Sequence, residues 1–193
     1  MEKWEYAAPC LFGIEGILGD ELKRMDAQDV RVQNGRVLFS GGPDLLARAN
    51  IGSRYAERIQ VHLGSFQAVS FEELFQGVRA LPWENWIGKK DAFPVKGWSL
   101  NSALHSVPDC QSIIKKAIVE RLKSVYGLSW FEESGAVVQV QFTLLKDEAT
   151  LLLDTSGPGL HKRGYRQNAG GAPIKETLAA AMVDLTRARL AER

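Results

Sequence analysis

Val30-Arg-Val-Gln-Asn-Gly-Arg-Val-Leu-Phe-Ser40 reads as two short strands closed by a two-residue turn, and the elements on either side follow from it. Asn34-Gly35 suits a type I′ turn, in which both central residues take positive φ. Working back toward the N-terminus, Ile14, Ile17, Leu18, Leu22 and Met25 fall on one face of a predicted helix over Glu15–Met25, with Gly13 and Gly16 crowding its start. Trp4–Leu11 before it alternates and is rich in aromatics, the pattern of a strand. Working forward, Pro43–Asn50 reads as a short helix that opens at Pro, where a missing N–H costs nothing. Arg54–Gly64 then alternates as a fourth strand. Strand, helix, strand, strand, helix, strand is the split βαβ order of a ferredoxin-like unit.

A second unit follows. Ser70–Arg79 is a predicted helix with Ser70 at the N-cap and Glu73 at the capping-box position, ended by Leu81-Pro82-Trp83. Phe93–Ser99 is a predicted strand. Asp109–Tyr126 is a predicted long helix stopped by Gly127, and Ile113, Ile114, Ala117, Ile118, Leu122 and Val125 repeat at the spacing of a buried stripe. Val137–Leu145 and Thr150–Asp154 read as strands joined through Lys146-Asp147-Glu148. Pro173–Arg193 is a predicted helix with no Gly or Pro to stop it. That abrupt end suggests a chain cut from something longer, although a frayed natural terminus would look the same.

Composition excludes several classes. The 193 residues are 45% hydrophobic and 24% charged, with formal net charge +1, so a histone-like tail, a polybasic anchor and a charge-rich disordered chain are ruled out. No apolar run approaches the roughly 18–20 residues that span a bilayer. The N-terminus lacks the apolar core of a signal peptide. A cytoplasmic globular chain is expected. Cys10 and Cys110 form no CxxC pair, and with His62, His105 and His161 the only histidines no spaced metal cluster is expected. His62 and His105 read as structural. No Ser-His-Asp or Cys-His arrangement stands out, so no catalytic residue is assigned. The basic excess is C-terminal, where residues 151–193 hold 7 bases against 4 acids.

That excess gathers at His161, Lys162, Arg163, Tyr165 and Arg166, after a strand ending Asp154-Thr-Ser-Gly and a Gly157-Pro-Gly159 turn. Arginines that fork onto phosphates, a lysine and a stacking ring are what an RNA backbone contact uses. The same residues also suit a solvated linker whose arginines bridge domains. Lys115, Lys116, Arg121 and Lys123 on the long helix line an RNA groove or form an ordinary exposed helix face. Lys96, Trp98 and Ser99 extend that surface, with Trp98 either a stacking platform or, more commonly for Trp, a core residue.

Asp154-Thr-Ser-Gly, Leu160-His-Lys-Arg-Gly-Tyr-Arg166 and Ala172-Pro-Ile-Lys-Glu-Thr-Leu-Ala-Ala-Ala181 resemble the signature of the THUMP-containing RNA guanine-N2 methyltransferases, a bacterial 23S rRNA methylase-like family. Phe12-Gly-Ile-Glu-Gly-Ile-Leu-Gly-Asp-Glu-Leu22, Arg54-Tyr-Ala-Glu-Arg-Ile59, Phe71-Glu-Glu-Leu-Phe75 and Pro82-Trp-Glu84 resemble other stretches of the same family, so the likeness runs over nearly the whole chain. The resemblance implies an α+β fold: a ferredoxin-like domain over 1–64, a THUMP RNA-binding domain over 65–156 (a wider definition starts near 44), and over 157–193 a linker with the first helix of a Rossmann-type methyltransferase domain. The family's Cys-Gly-Ser-Gly-type donor loop and Asn-Pro-Pro-Tyr-type catalytic motif do not occur in the chain, so the 193-mer itself is expected to be inactive. The full-length enzyme would use S-adenosylmethionine, and Pro173, Lys175 and Glu176 would border its donor pocket only there. The implied partners are structured RNA, ribosomal rather than transfer, and the methyltransferase domain. A transfer RNA ligand and a non-RNA docking scaffold are the competing readings.

Overall fold

The computed structural model describes residues 3–164 and 171–186, and the chain divides into two compact units, Met1–Val61 with Thr155–Arg193 and His62–Asp154. The first unit holds β1 (Trp4–Pro9), α1 (Glu15–Arg24), β2 (Gln28–Gln33), β3 (Arg36–Gly41), α2 (Pro43–Gly52), the start of β4 (Gln60–Gln67) and α5 (Glu176–Leu185). Strands run in the order β2-β3-β1-β4, each antiparallel to its neighbour, so β1 and β2 are parallel with β3 between them. This is the ferredoxin-like arrangement that the element order predicts. Its core contains Tyr6, Leu18, Leu22, Phe39, Tyr55 and Ile59, all fully buried, with the Tyr6 and Phe39 ring centroids 5.3 Å apart.

Three local expectations change. The turn at Asn34-Gly35 has positive φ only at Gly35 (+73°), so it is not type I′. Contacts from outside the hairpin set Gly35: its N–H donates to Glu15 Oε1 (2.9 Å), its carbonyl accepts from Cys10 N (2.9 Å), and the Phe12 ring lies 3.3 Å from where a Cβ would project. The fourth strand begins at Gln60 rather than Arg54, because the Arg54 N–H goes to the Glu21 carboxylate and the Ala56 N–H to Ser53 Oγ instead of to a ladder. The last helix begins at Glu176 rather than Pro173, and its predicted end lies outside the described residues.

The second unit holds the rest of β4, α3 (Phe71–Ala80), a 3-10 turn (Trp83–Asn85), β5 (Val95–Leu100), α4 (Val107–Tyr126), β6 (Val140–Leu145) and β7 (Glu148–Asp154). Its strand order is β4-β7-β6-β5, with β5 and β6 parallel and α4 as the crossover that a parallel pair requires. The capping box forms as read: Ser70 Oγ accepts from Glu73 N, and Glu73 Oε2 accepts from Ser70 N, both at 3.2 Å. Gly127 ends α4 in the left-handed region (φ +66°). Ile114, Ala117, Ile118 and Leu122 face the core, whereas Val125 is exposed and Ile113 half-buried, so the stripe is narrower than its spacing implies. Between β6 and β7, Lys146 (φ +52°) and Asp147 (φ +64°) make the two-residue left-handed turn, and Glu148 already belongs to the strand. Asp147 Oδ1 supports that turn by accepting from Ala103 N at 2.7 Å. At Gly97 a Cβ would lie 2.2 Å from the Phe142 carbonyl oxygen and 2.4 Å from its ring, so β5 can approach β6 only with glycine there.

Candidate nucleic-acid interface

The C-terminal basic segment is anchored before it can reach outward. Thr155 Oγ1 donates to Ile59 O (2.7 Å), and Ser156 Oγ accepts from Ile59 N (2.8 Å) while donating to Asn50 Oδ1 (2.7 Å). Gly157 takes φ +64° to turn the chain, and Leu160 N then donates to Glu57 O (2.9 Å). Arg163 donates to the carbonyls of Ile51 (2.7 Å), Asn50 (3.0 Å) and Ser53 (2.9 Å). These are orphan acceptors at the C-terminus of α2, a helix with no base of its own in the last turn. A guanidinium at that end satisfies the carbonyls and complements the helix dipole. These bonds tie Arg163 to α2 within the first unit, through carbonyls rather than through carboxylates of another domain. Arg163→Ala is expected to cost roughly 1–2 kcal/mol, read as a lower urea midpoint, and Arg163→Lys should not restore it because one ammonium cannot cover three carbonyls.

Glu57 organises the neighbouring segment. Its carboxylate is paired with Lys175, accepts from Thr177 Oγ1 at 2.7 Å, and lies 3.5 Å from His161 Nδ1. Lys175 is therefore committed to the first unit. A cavity of about 290 Å³ between Ser53, Arg54, His161, Arg163, Glu176 and Thr177 is at the lower limit for a small-molecule site. Four of its polar side chains, Ser53, Arg54, Arg163 and Thr177, are already bonded to the chain. Of Pro173, Lys175 and Glu176, only Glu176 lines this cavity. Lys162 is exposed with no carboxylate partner among the described residues. Tyr165 and Arg166 lie outside the described residues.

On α4 the four predicted bases differ. Arg121 forks onto the Glu84 carboxylate, with Nε–Oε2 at 3.0 Å, and that pairing holds the Glu84 carboxyl below its ordinary range. Lys115 pairs with Glu133 (2.6 Å), donates to Phe93 O (3.1 Å) and sits 3.5 Å over the Phe93 ring. Lys116 and Lys123 have no ion pair among the described residues, Lys116 lying 5.8 Å from the Phe75 ring centroid. Lys96 is likewise unpaired and exposed on β5. Trp98, for which a core position was the commoner expectation, is 47% exposed. Along β5 half-buried and exposed residues alternate, and Trp98 falls at an exposed position. His62 Nε2 lies 3.0 Å from Ser65 Oγ, and His105 Nδ1 lies 3.1 Å from Ala103 O. No group of three or more His, Cys, Asp or Glu suited to a metal occurs among the described residues. Burial pushes the Cys10 thiol up to about 12.

Sequence reading missed Glu21. Its buried carboxylate accepts from Ser53 Oγ (2.7 Å), Arg54 N (3.1 Å) and Arg54 Nε (3.0 Å), and ties α1 to the segment after α2. Glu15, Glu21, Arg54 and Glu57 all lie within stretches already singled out by their family likeness, and the structure gives each a bonding role within the first unit.

The described residues thus form a ferredoxin-like unit and a second α/β unit on which Lys96, Lys116 and Lys123 have no carboxylate partner among the described residues. Residues 5–60 match the RlmL ferredoxin-like domain and residues 68–154 the THUMP domain, so the chain joins one to the other. It is 49% identical over 188 residues to YpsC of Bacillus subtilis, an inferred RNA methyltransferase, covering 96% of this chain and 49% of YpsC. It is 34% identical over 180 residues to the ribosomal RNA large subunit methyltransferase K/L of Cellvibrio japonicus, covering 93% of this chain and 24% of that protein. Among solved structures, a Listeria monocytogenes protein described as an inferred N6-adenine-specific DNA methylase superimposes with TM-score 0.92 at 47% identity, covering 96% of this chain and 49% of that one. SMU.472, an inferred methyltransferase complexed with SAH, gives 0.90 at 43% identity, again covering 96% and 49%. The chain thus spans about half the length of YpsC and of both solved chains, and about a quarter of the Cellvibrio protein. No helix among the described residues is long and apolar enough to cross a membrane.

Proposed function

We propose that this chain is the RNA-binding, substrate-recognition region of an S-adenosylmethionine-dependent RNA methyltransferase. Its RNA is ribosomal rather than transfer, and the modified group is a guanine N2. The kinship with the K/L ribosomal RNA enzymes supports the RNA class, and the SAH complex of SMU.472 supports the methyl donor of the full-length protein. The DNA named for the Listeria protein is the competing substrate. As functional segments we carry 1–64, 65–156 and 157–193, the last leading to the methyltransferase domain. The chain contains neither a Gly-rich donor loop nor an Asn-Pro pair, so its part is grip and presentation, with transfer left to other residues. A guanine amine must be unstacked to be methylated, and phosphate contacts that hold the surrounding RNA in place assist that.

The carrying observation is that Lys96, Lys116 and Lys123 on the THUMP-matching unit lack carboxylate partners among the described residues, whereas Lys115 and Arg121 have them. Unpaired cations can neutralise phosphates and release counterions. Binding of a ribosomal RNA fragment should therefore weaken linearly on a log–log salt plot, with a slope of roughly −2 to −3 for three contacts. Lys116→Glu with Lys123→Glu should flatten that slope by about two, while Lys115→Ala should change it by less than one. A flat salt response in the parent chain would support the docking-scaffold reading, and tighter binding to transfer RNA or DNA of equal length would replace the ribosomal ligand.

A further inference from the structure

We infer that Trp98 is a stacking site for an unpaired RNA base, with Lys96 holding the adjoining phosphate, an inference that rests on the RNA-binding reading above. β5 is the edge of its sheet, and its residues alternate between two faces. One face lies toward α4 and the loop before it: Ser99 Oγ donates to Leu104 O of that loop (2.7 Å), and Gln111 Nε2 of α4 donates to Val95 O (3.1 Å). Lys96, Trp98 and Leu100 therefore share the opposite face, and all three are exposed. The parallel register sets Gln141, Thr143 and Leu145 of β6 beside them in turn.

The patch thus offers an indole about half open to solvent, an ammonium two residues away with no carboxylate partner among the described residues, and the Thr143 hydroxyl, while the Gln141 amide is engaged by Asp154 (3.4 Å). Two residues along a strand is about 6.6 Å, so the Lys96 side chain reaches the phosphate of a nucleotide whose base lies on the indole. Protein-docking patches are depleted in lysine at their centres, whereas an aromatic flanked by a cation and side-chain hydrogen-bonding groups is the makeup of a single-strand platform. A paired base has no free face to offer it, so the site selects unpaired nucleotides. This separates two tasks within the unit: Lys116 and Lys123 on α4 read backbone charge, and Trp98 on β5 reads strand state.

The test compares the 193-residue chain with its Trp98→Leu and Trp98→Phe variants against a short oligoadenylate and an RNA duplex of equal length at low ionic strength. Trp98→Leu should weaken oligoadenylate binding roughly 5- to 150-fold, the range for loss of one stacked base, and leave duplex binding within twofold. Trp98→Phe should retain most of the affinity. Because Trp98 is exposed, its urea midpoint serves as the folding control. Salt-dependent RNA binding that Trp98→Leu leaves unchanged overturns the stacking site while the RNA-binding reading stands. Equal losses on both probes also overturn it. Parent chain that binds no RNA overturns both, and a dimer abolished by Trp98→Leu with RNA affinity intact reassigns the patch to contact between copies.

Discussion

Replacing Trp83 by Ala is expected to destabilise the His62–Asp154 unit by roughly 3–5 kcal/mol, the range for deleting a large aromatic from a packed core. Trp83 is fully buried, and its Nε1 donates to Val78 O at 2.7 Å, covering a carbonyl at the end of α3. Two losses therefore add: the cavity left by the ring and the bond to α3. Trp83→Phe separates them. It keeps much of the volume but loses the N–H, and Val78 O still accepts from Leu81 N (3.2 Å), so the expected cost falls to about 1–2 kcal/mol. Urea unfolding followed by far-UV dichroism measures both. An Ala variant within 1 kcal/mol of the parent would mean that the 3-10 turn is not part of the cooperative core.

The second large effect is at Glu21. Its side chain is 4% exposed and accepts from one hydroxyl, one backbone N–H and one guanidinium of the Ser53-Arg54 pair. Glu21→Ala leaves the Ser53 hydroxyl and the Arg54 N–H without their acceptor, while the Arg54 guanidinium, 55% exposed, turns to water, so the expected cost is about 2–3 kcal/mol. Glu21→Gln is expected to recover little of it: its amide NH₂ would oppose one of the donors that a carboxylate accepts from. With a slope of roughly 2 kcal/mol per molar urea, the Ala midpoint should fall by about 1–1.5 M. Trp4 is the one tryptophan in residues 1–61 and 155–193, so its fluorescence reports this unit. A shift below a few tenths of a molar would show the Glu21 network to be incidental to stability.

The elements most legible from sequence were those whose causes are local. The Ser70–Glu73 box, the Gly127 stop and the Pro at the start of α2 each depend on residues within one turn of the chain, and all stand where spacing places them. The ferredoxin-like order was legible because hydrophobic period and turn residues agree along 4–41. Where distant partners intervene, local reading falls short. Asn34-Gly35 has the composition of a type I′ turn, yet Glu15, Cys10 and Phe12 bond or pack against Gly35 and select another. Arg54–Ile59 alternates like a strand, yet Glu21 captures the backbone N–H and guanidinium of Arg54 and bends it into a loop.

The candidate site divides the same way. Sequence by itself determined the two α/β units, their element order and which residues carry positive charge, because these follow from periodicity, capping chemistry and composition. Only the tertiary structure decided which cations remain available: Arg163 is bound by carbonyls of α2, Arg121 by Glu84 and Lys115 by Glu133, while Lys96, Lys116 and Lys123 have no such partner among the described residues. Whether a charge is free depends on what lies within about 4 Å of it in space, and side chains far apart along the chain meet there only after the backbone has folded.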